Sequence, residues 1–400
     1  MTKSVLLVGS NHLLIERARL EGLHVYLVHK DRSVIESNAL LVGDSLLTDY
    51  EDRRNWDEIV RFAGQHGIER CLSLSEGALL CSRYVDDRLT GGDLLRISAL
   101  TKNKYRLRSA LSDAYPYTIP WMVPESINDI HAFVEDHETA VIKPVDGVGS
   151  REVRYIGRGF AEHAVSGCLT GGYLLEKKID GREFSVEAIV HGGTRRVIGI
   201  TEKSLYEGTF VEKSHIVPAS LPSRSKETLE AACLEFLELI GARQGVYHIE
   251  FILESSTGKP CLVEAHDRVG GDWIPELWYF ITDIDLYREY ILSSTNKNYA
   301  LPKVIYNSKI CGIFFFDIEK PKFINIGYYK LMGIEGVVCV QKNKKGPITS
   351  VGKSSDRPGF FIVKTDSRER LEESVRQAYS SIAPAAIAPV PLPDNNQRAS

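Results

Sequence analysis

Short apolar runs and amphipathic stretches alternate from the first residues of this chain. "SVLLVGS", helix-patterned "LLIERARLEG" and "HVYLVHK" read as β-α-β, and "EIVRFAGQHGIERCLSL" carries the alternation to about residue 95. The pattern predicts a small doubly wound domain over 1–95. Its first turn, Gly9-Ser10-Asn11-His12, lacks the second and third glycines of a dinucleotide fingerprint, so NAD is not expected there. Over 96–175 the periodicity predicts one helix, "TKNKYRLRSALSDA", then a proline-punctuated stretch, then strand, Gly-rich turn and strand in "AVIKPVDGVGSREVRYI". Long strands follow over 176–300, and strand and helix alternate over 301–385. The Pro/Ala-rich stretch 386–400 is expected to be a disordered tail. There is no convincing internal repeat, and the class is α/β (α+β).

Two of the long strands raise a chemical question. "YHIEFIL" and "CLVEAHDR" flank the turn "ESSTGKP", and a hairpin that pairs Glu250 with Glu264 also pairs Phe251 with Val263 and Ile252 with Leu262. Phe251, Leu253, Cys261 and Val263 then share one face and both carboxylates the other. Opposed like charges destabilise a sheet, whereas a hard divalent cation between them reverses the sign. The competing reading is a Glu simply solvated at an edge strand.

Composition narrows the partners. The 400 residues are 43% hydrophobic, enough to bury a large core, and carry a net charge of −4 with no long single-sign block. Nothing favours nucleic acid or an anionic membrane, so small-molecule partners are expected. Seven scattered cysteines with no CxxC pair argue for reduced thiols and a cytoplasmic protein. No apolar run approaches the length of a membrane span, and the N-terminal run is too short for a signal peptide.

Other stretches suggest nucleotide chemistry. "AVIKPVDGVGS" delivers Lys143 into a loop with Gly147, Gly149 and Ser150, where an ammonium and free backbone N–H groups can meet phosphate; an ordinary hairpin is the alternative. It is not a P-loop. In "YLLEKKIDGREFSVEAIV", Glu176, Lys177 and Ile179 end an apolar strand suited to a purine, and Glu183 follows as an acceptor for ribose hydroxyls. Solvated charge at a strand end is the alternative.

In this order, these stretches resemble the ATP-grasp superfamily over nearly the whole chain. The resemblance implies an N-terminal Rossmann-like domain (1–95), a central and lid subdomain (96–175), a catalytic subdomain (176–300) and its C-terminal part (301–385). It implies ATP contacts from Lys104, Lys143, the Gly loop, Glu176, Lys177, Ile179 and Glu183. Glu250 and Glu264 would hold Mg2+, with Mn2+ as an alternative. The family's Glu-x-Asn-x-Arg signature reads "EAHDR" here, with His266 in place of asparagine. Imidazole suits Mg2+ poorly, so His266 is left out of the metal set. Within the superfamily the chain is most similar to bacterial L-amino acid ligases and related carboxylate–amine ligases, through "GITEKSLYEGTFVEKSHIVPASL" and "EAHDRVGGDWIPEL".

That resemblance implies an ADP-forming carboxylate–amine ligase working through an acyl phosphate on a small acid and an amine, with a homodimer left open. Glu212 and His215, as the family's Glu-x-x-His pair, and Arg268 would be the catalytic residues, with Arg268 and His215 as donors to the oxyanion. A carrier-bound or larger natural-product substrate, and a non-catalytic ATP-binding role, are the alternatives. Asp272, where the L-amino acid ligases carry a bulky tryptophan, is expected either to cap the helix "WIPELWYF" or to bind a substrate ammonium.

Overall fold

All five residues of the first strand, β1 (Ser4–Val8), are buried, as expected for a parallel strand covered on both faces. The computed structural model describes residues 3–147, 149, 151–169, 171–316, 328–342 and 353–382. In it β1, β2 (His24–His29), β3 (Ser45–Leu47) and β4 (Arg70–Leu72) form a parallel sheet in the order β3-β2-β1-β4. Val5 and Leu7 pack with Leu14, Ile15 and Ala18 of α1 (His12–Leu20). After α2 (Arg32–Asn38), the opposite face, Leu6 and Val8, meets Ile59 and Phe62 of α3 (Trp56–Gln65) and Val85 of α4 (Leu79–Thr90). Gly9 ends β1 at φ 60, and a Cβ there would lie 2.7 Å from that of Ala78, so this turn admits only glycine.

The single helix expected over "TKNKYRLRSALSDA" is two, α5 (Leu94–Lys102) and α6 (Lys104–Leu111). Asn103 between them is extended, and its side chain accepts from the Arg106 N–H at 2.9 Å, opening a new helix. Asparagine gains more as a cap than inside a helix, so an unbroken periodicity gives a broken element.

A second sheet is antiparallel, in the order β5-β8-β6-β7: β5 (Trp121–Met122), β6 (Thr139–Pro144), β7 (Arg154–Gly157) and β8 (Tyr173–Lys177). Helix α7 (Ile127–His137) backs it, and Ile130, Phe133 and Val134 close a core with Ala140, Ile142, Ile156 and Leu175.

The third sheet is the largest. It comprises β9 (Gly181–His191), β10 (Thr194–Leu205), β11 (Glu212–Val217), β12 (Gln244–Glu254), β13 (Pro260–His266), β14 (Ile310–Phe315), β15 (Val337–Lys342) and β16 (Gly359–Thr365). Their order is β13-β12-β9-β10-β11-β14-β16-β15, antiparallel throughout. One face, with Phe184, Val186, Tyr247 and Phe251, packs on α5, α6 and α8 (Ser223–Leu239). On the other face, Ile189, Ile198, Val217 and Val246 lie under α9 (Ile274–Thr282) and α10 (Leu286–Thr295). Helices α11 (Tyr328–Met332) and α12 (Arg368–Ile382) cover the β14–β16 end. Buried Arg83 of α4 ties the first sheet to the third, donating to the Asp267 carboxylate at 3.2 Å and its carbonyl at 3.0 Å.

The β12/β13 hairpin pairs Glu250 with Glu264, as expected, but not the residues beyond. A bulge follows, so Phe251 faces Leu262, Ile252 faces Cys261 and Leu253 faces Pro260. Val263 is the extra residue: it lines the cleft beside Glu264, and Leu262 takes the core position with Phe251. All seven cysteines are free thiols. No helix among the described residues is long and apolar enough to cross a membrane. Ser150 and the tail over 386–400 lie outside the described residues.

Candidate active site

Strand alternation explains where the charges go. The half of the third sheet's face left uncovered by α9 and α10 carries Glu183, Lys203, His215, His248, Glu250 and Glu264. With the second sheet opposite, it encloses a cleft of about 290 Å3. Glu183, Glu250 and Glu264 come from adjacent strands in register: Glu250 pairs Glu264, and Ile252 pairs Glu183.

Lys143 on β6 is 4% exposed and reaches Glu176 on β8 at 2.7 Å. Glu176 also accepts from Arg108 at 2.9 Å, so its carboxylate belongs to a buried ion network and only its backbone is left to serve a purine. Burial opposes the charged form of Glu176, yet Arg108 and Lys143 prevail and hold its pKa below the ordinary value. Burial likewise depresses the Lys143 pKa, against the pull of Glu176. Lys104, at the start of α6, contacts the Gly147 carbonyl and Glu264 Oε1, each at 3.0 Å. Gly149, at φ 65, and Gly147 border the same space. Lys177, Ile179, Ile119, Ile252 and Val263 also line it, and Ile119, Ile179 and Ile252 pack together as an apolar end.

Sequence reasoning missed several members. Arg108 donates to the carbonyls of Leu262 (2.8 Å) and Val263 (2.9 Å), fixing the bulge that presents Glu264. Its signal was available, since Arg108 lies one helical turn after Lys104. Lys203 reaches Glu250 at 2.7 Å and Glu212 at 3.6 Å. His248 sits between Glu187 (2.9 Å) and Glu250 (3.0 Å). Both belong to the floor through strand alternation, but that reading needs the register. Glu76, from the loop after β4, accepts from Arg268 at 2.7 Å, and Arg357 binds Asp272; neither has a sequence signal.

Burial raises the cost of charge at Glu250 and Glu264. Lys203 and His248 outweigh it at Glu250, and Lys104 and His266 at Glu264, so both stay ionised far below the ordinary carboxylate range. Burial pushes Glu183 up to about 7, against Lys203 and reinforced by the Glu250, Glu212 and Glu264 charges. Two ionised hard-oxygen donors side by side fit Mg2+ or Mn2+, with phosphate oxygens and water completing the shell.

The far wall corrects one expectation. Asp272 does not cap α9. The residue before the helix is Trp273 at φ 64, with no side-chain cap bond. The Asp272 carboxylate instead accepts two 2.6 Å bonds from Arg357 and one of 3.1 Å with His215 Nε2. A substrate ammonium would therefore meet a carboxylate already paired with an arginine. His215 is 1% exposed and engaged by Asp272, which leaves Arg268 as the more open donor of the expected pair. Glu212 accepts from Ser354 at 3.2 Å beside them.

The fold defined by these sheets and this cleft is the ATP-grasp fold, and residues 158–276 match the model of the ATP-grasp domain. The structure is similar to that of an L-amino acid ligase from Bacillus licheniformis (TM-score 0.78, 19% identity, 95% of this chain and 97% of that one). It is also similar to an N5-carboxyaminoimidazole ribonucleotide synthetase from Thermotoga maritima (TM-score 0.72, 14% identity, 94% of this chain and 98% of that one). In sequence, the uncharacterized protein y4rH of Sinorhizobium fredii (strain NBRC 101917 / NGR234) is 27% identical over 256 residues, 61% of this chain. That match spans about half, 52%, of the relative's length.

Proposed function

We propose that the chain is an ATP-dependent ligase that joins a carboxylate to an amine through an acyl phosphate, with an amino acid as one substrate. The observation that carries this reading is the ionised Glu250–Glu264 pair facing Lys104, Lys143 and Arg268 in one cleft with an apolar end. Held by those two carboxylates, Mg2+ or Mn2+ would neutralise triphosphate charge and polarise the γ-phosphoryl group.

The protein's own groups do the rest. Ile179, Ile252 and Val263 enclose the purine, and Glu183 accepts from ribose. Lys104 and Lys143 bind phosphate oxygens, with phosphate competing against Glu176 for the Lys143 ammonium. A substrate carboxylate oxygen bonds to the γ-phosphorus as the bond to ADP breaks. The neutral amine then attacks the acyl carbon, the bond from that carbon to the phosphate oxygen breaks, and the departing phosphate takes up the amine's proton. Arg268, aimed by Glu76, donates to the carbonyl oxygen as it gains charge; elsewhere one such donor is worth about 10²–10³ in rate.

The test is ADP release from ATP with paired acids and amines, followed by mass analysis of products. ADP formation that needs both partners, with an amide product, is expected. Tight ATP binding without turnover across acids and amines would make the chain a nucleotide-binding protein instead.

A further inference from the structure

The cleft floor holds two stacked imidazoles that the proposed chemistry leaves unused. His248 and His266 face each other in the β12/β13 register and stack, with ring centroids 6.0 Å apart and an interplanar angle of 24°. Their surroundings differ. His248 is 3% exposed, and both its nitrogens are engaged by carboxylates, Nδ1 by Glu187 and Nε2 by Glu250. His266 lines the open cleft. Its Nε2 lies 3.4 Å from Glu264 Oε2 and its Nδ1 3.9 Å from Glu76 Oε2, both longer than a normal charge-assisted hydrogen bond.

Three features of that placement point the same way. Glu264 and His266 are two residues apart on one strand, so their side chains leave the same face together. Two neighbouring ligands of one octahedral divalent ion at bond lengths of about 2.1 Å stand about 3.0 Å apart, so the 3.4 Å between Nε2 and Oε2 has only a few tenths of an ångström to close. The other ring nitrogen faces the Glu76 carboxylate, and a carboxylate behind the ring is the usual device that orients a metal-bound histidine.

We infer that His266 is a metal ligand through Nε2, sharing a divalent ion with Glu264, and that this imidazole biases the site toward Mn2+ over Mg2+. Imidazole binds first-row transition ions well and Mg2+ poorly, so one nitrogen in an otherwise oxygen shell shifts the preference without excluding either ion. The inference rests on the cleft being the nucleotide site, and it departs from the expectation that His266 stands outside the metal set. Glu76 then has two duties, holding Arg268 and orienting the His266 ring.

The test is pulsed electron paramagnetic resonance of the full chain with Mn2+ and ADP. Electron-spin-echo modulation from one directly bound 14N is expected in the wild-type complex and is lost in His266→Gln, where apparent Mn2+ affinity falls about tenfold or more and Mg2+ affinity about threefold or less. A bound Mn2+·ADP complex with no nitrogen coupling overturns the inference and leaves the nucleotide site standing. So does coupling that survives in His266→Gln. No binding of Mn2+·ADP overturns both. Because the wild-type spectrum is decisive alone, a variant that folds poorly does not blunt the test.

Discussion

At the scale of single residues, the floor separates charges the fold needs from charges the chemistry needs. Glu264 has no partner in the hydrophobic core, and its neighbours are the cleft groups Lys104 and His266. Glu264→Gln is therefore expected to fold normally, with a melting temperature close to wild type, and to lose turnover by at least about a hundredfold. Near-normal rates at low Mg2+ would contradict its role. Glu183 gives the opposite signature. Its carboxyl ionises near 4.5 in the unfolded chain and near 7 when folded, so the folded state holds the proton more tightly. The stability linked to that proton is full below pH about 4.5 and lost as pH rises through about 7. Relative to Glu183→Gln, the ligand-free wild type should lose on the order of 2 kcal/mol between pH 5 and 8, read by denaturant midpoints; the figure allows for partial solvent screening. A gap that does not widen with pH would remove the buried-carboxylate account. Glu250 and Glu264 were legible in the sequence because two glutamates in neighbouring apolar strands demand an explanation. Lys203 and His248 were not, because one polar residue in a strand becomes meaningful only once register says what it faces.

At the scale of elements, local signals competed with partners far along the chain, and the distant partners won at Asp272. Aspartate just ahead of an apolar helix with proline in its first turn is a good capping pattern. Nothing local announces Arg357, which comes from the segment before β16, stacks on Phe315 at 3.7 Å and takes the carboxylate. The two readings predict different energetics. Asparagine caps as well as aspartate and tolerates the left-handed backbone at φ 53, so a cap would leave Asp272→Asn unchanged. A buried ion pair broken on one side costs about 3 kcal/mol or more, and that loss is expected in urea unfolding. A wild-type midpoint would mean that the pair contributes nothing to stability. The bulge after Glu250 was hidden for a similar reason. Strict alternation predicts a regular hairpin, and the departure depends on Arg108 gripping two carbonyls from another helix.

At the scale of the whole molecule, the mixed class followed from periodicity, since runs of period two and period 3.6 rarely mislead over long stretches, although one expected helix is two. How the three sheets close on one another did not, because they are joined by residues far apart in the chain: a shared apolar core between the first and third sheets, and ion pairs between distant residues. The second sheet has its own core, separate from that of the floor, and meets it near the cleft through Lys143, Glu176 and Arg108. It should therefore move against the floor as a unit. Amide exchange in β6 and β7 should slow on adding a non-hydrolysable ATP analogue, while β9 and β12 change little. Equal slowing in both sheets, or none, would argue against a moving lid. The Glu76–Arg268 bond has a consequence for anyone reshaping this pocket. The wall around Arg268 is assembled from three stretches, at residues 76, 268–272 and 357, each compensating charge carried by another. A mutant library confined to one stretch would mostly sample unbalanced charge and return inactive clones. A productive search has to vary all three together, so the route from one specificity to another runs through paired substitutions rather than single steps.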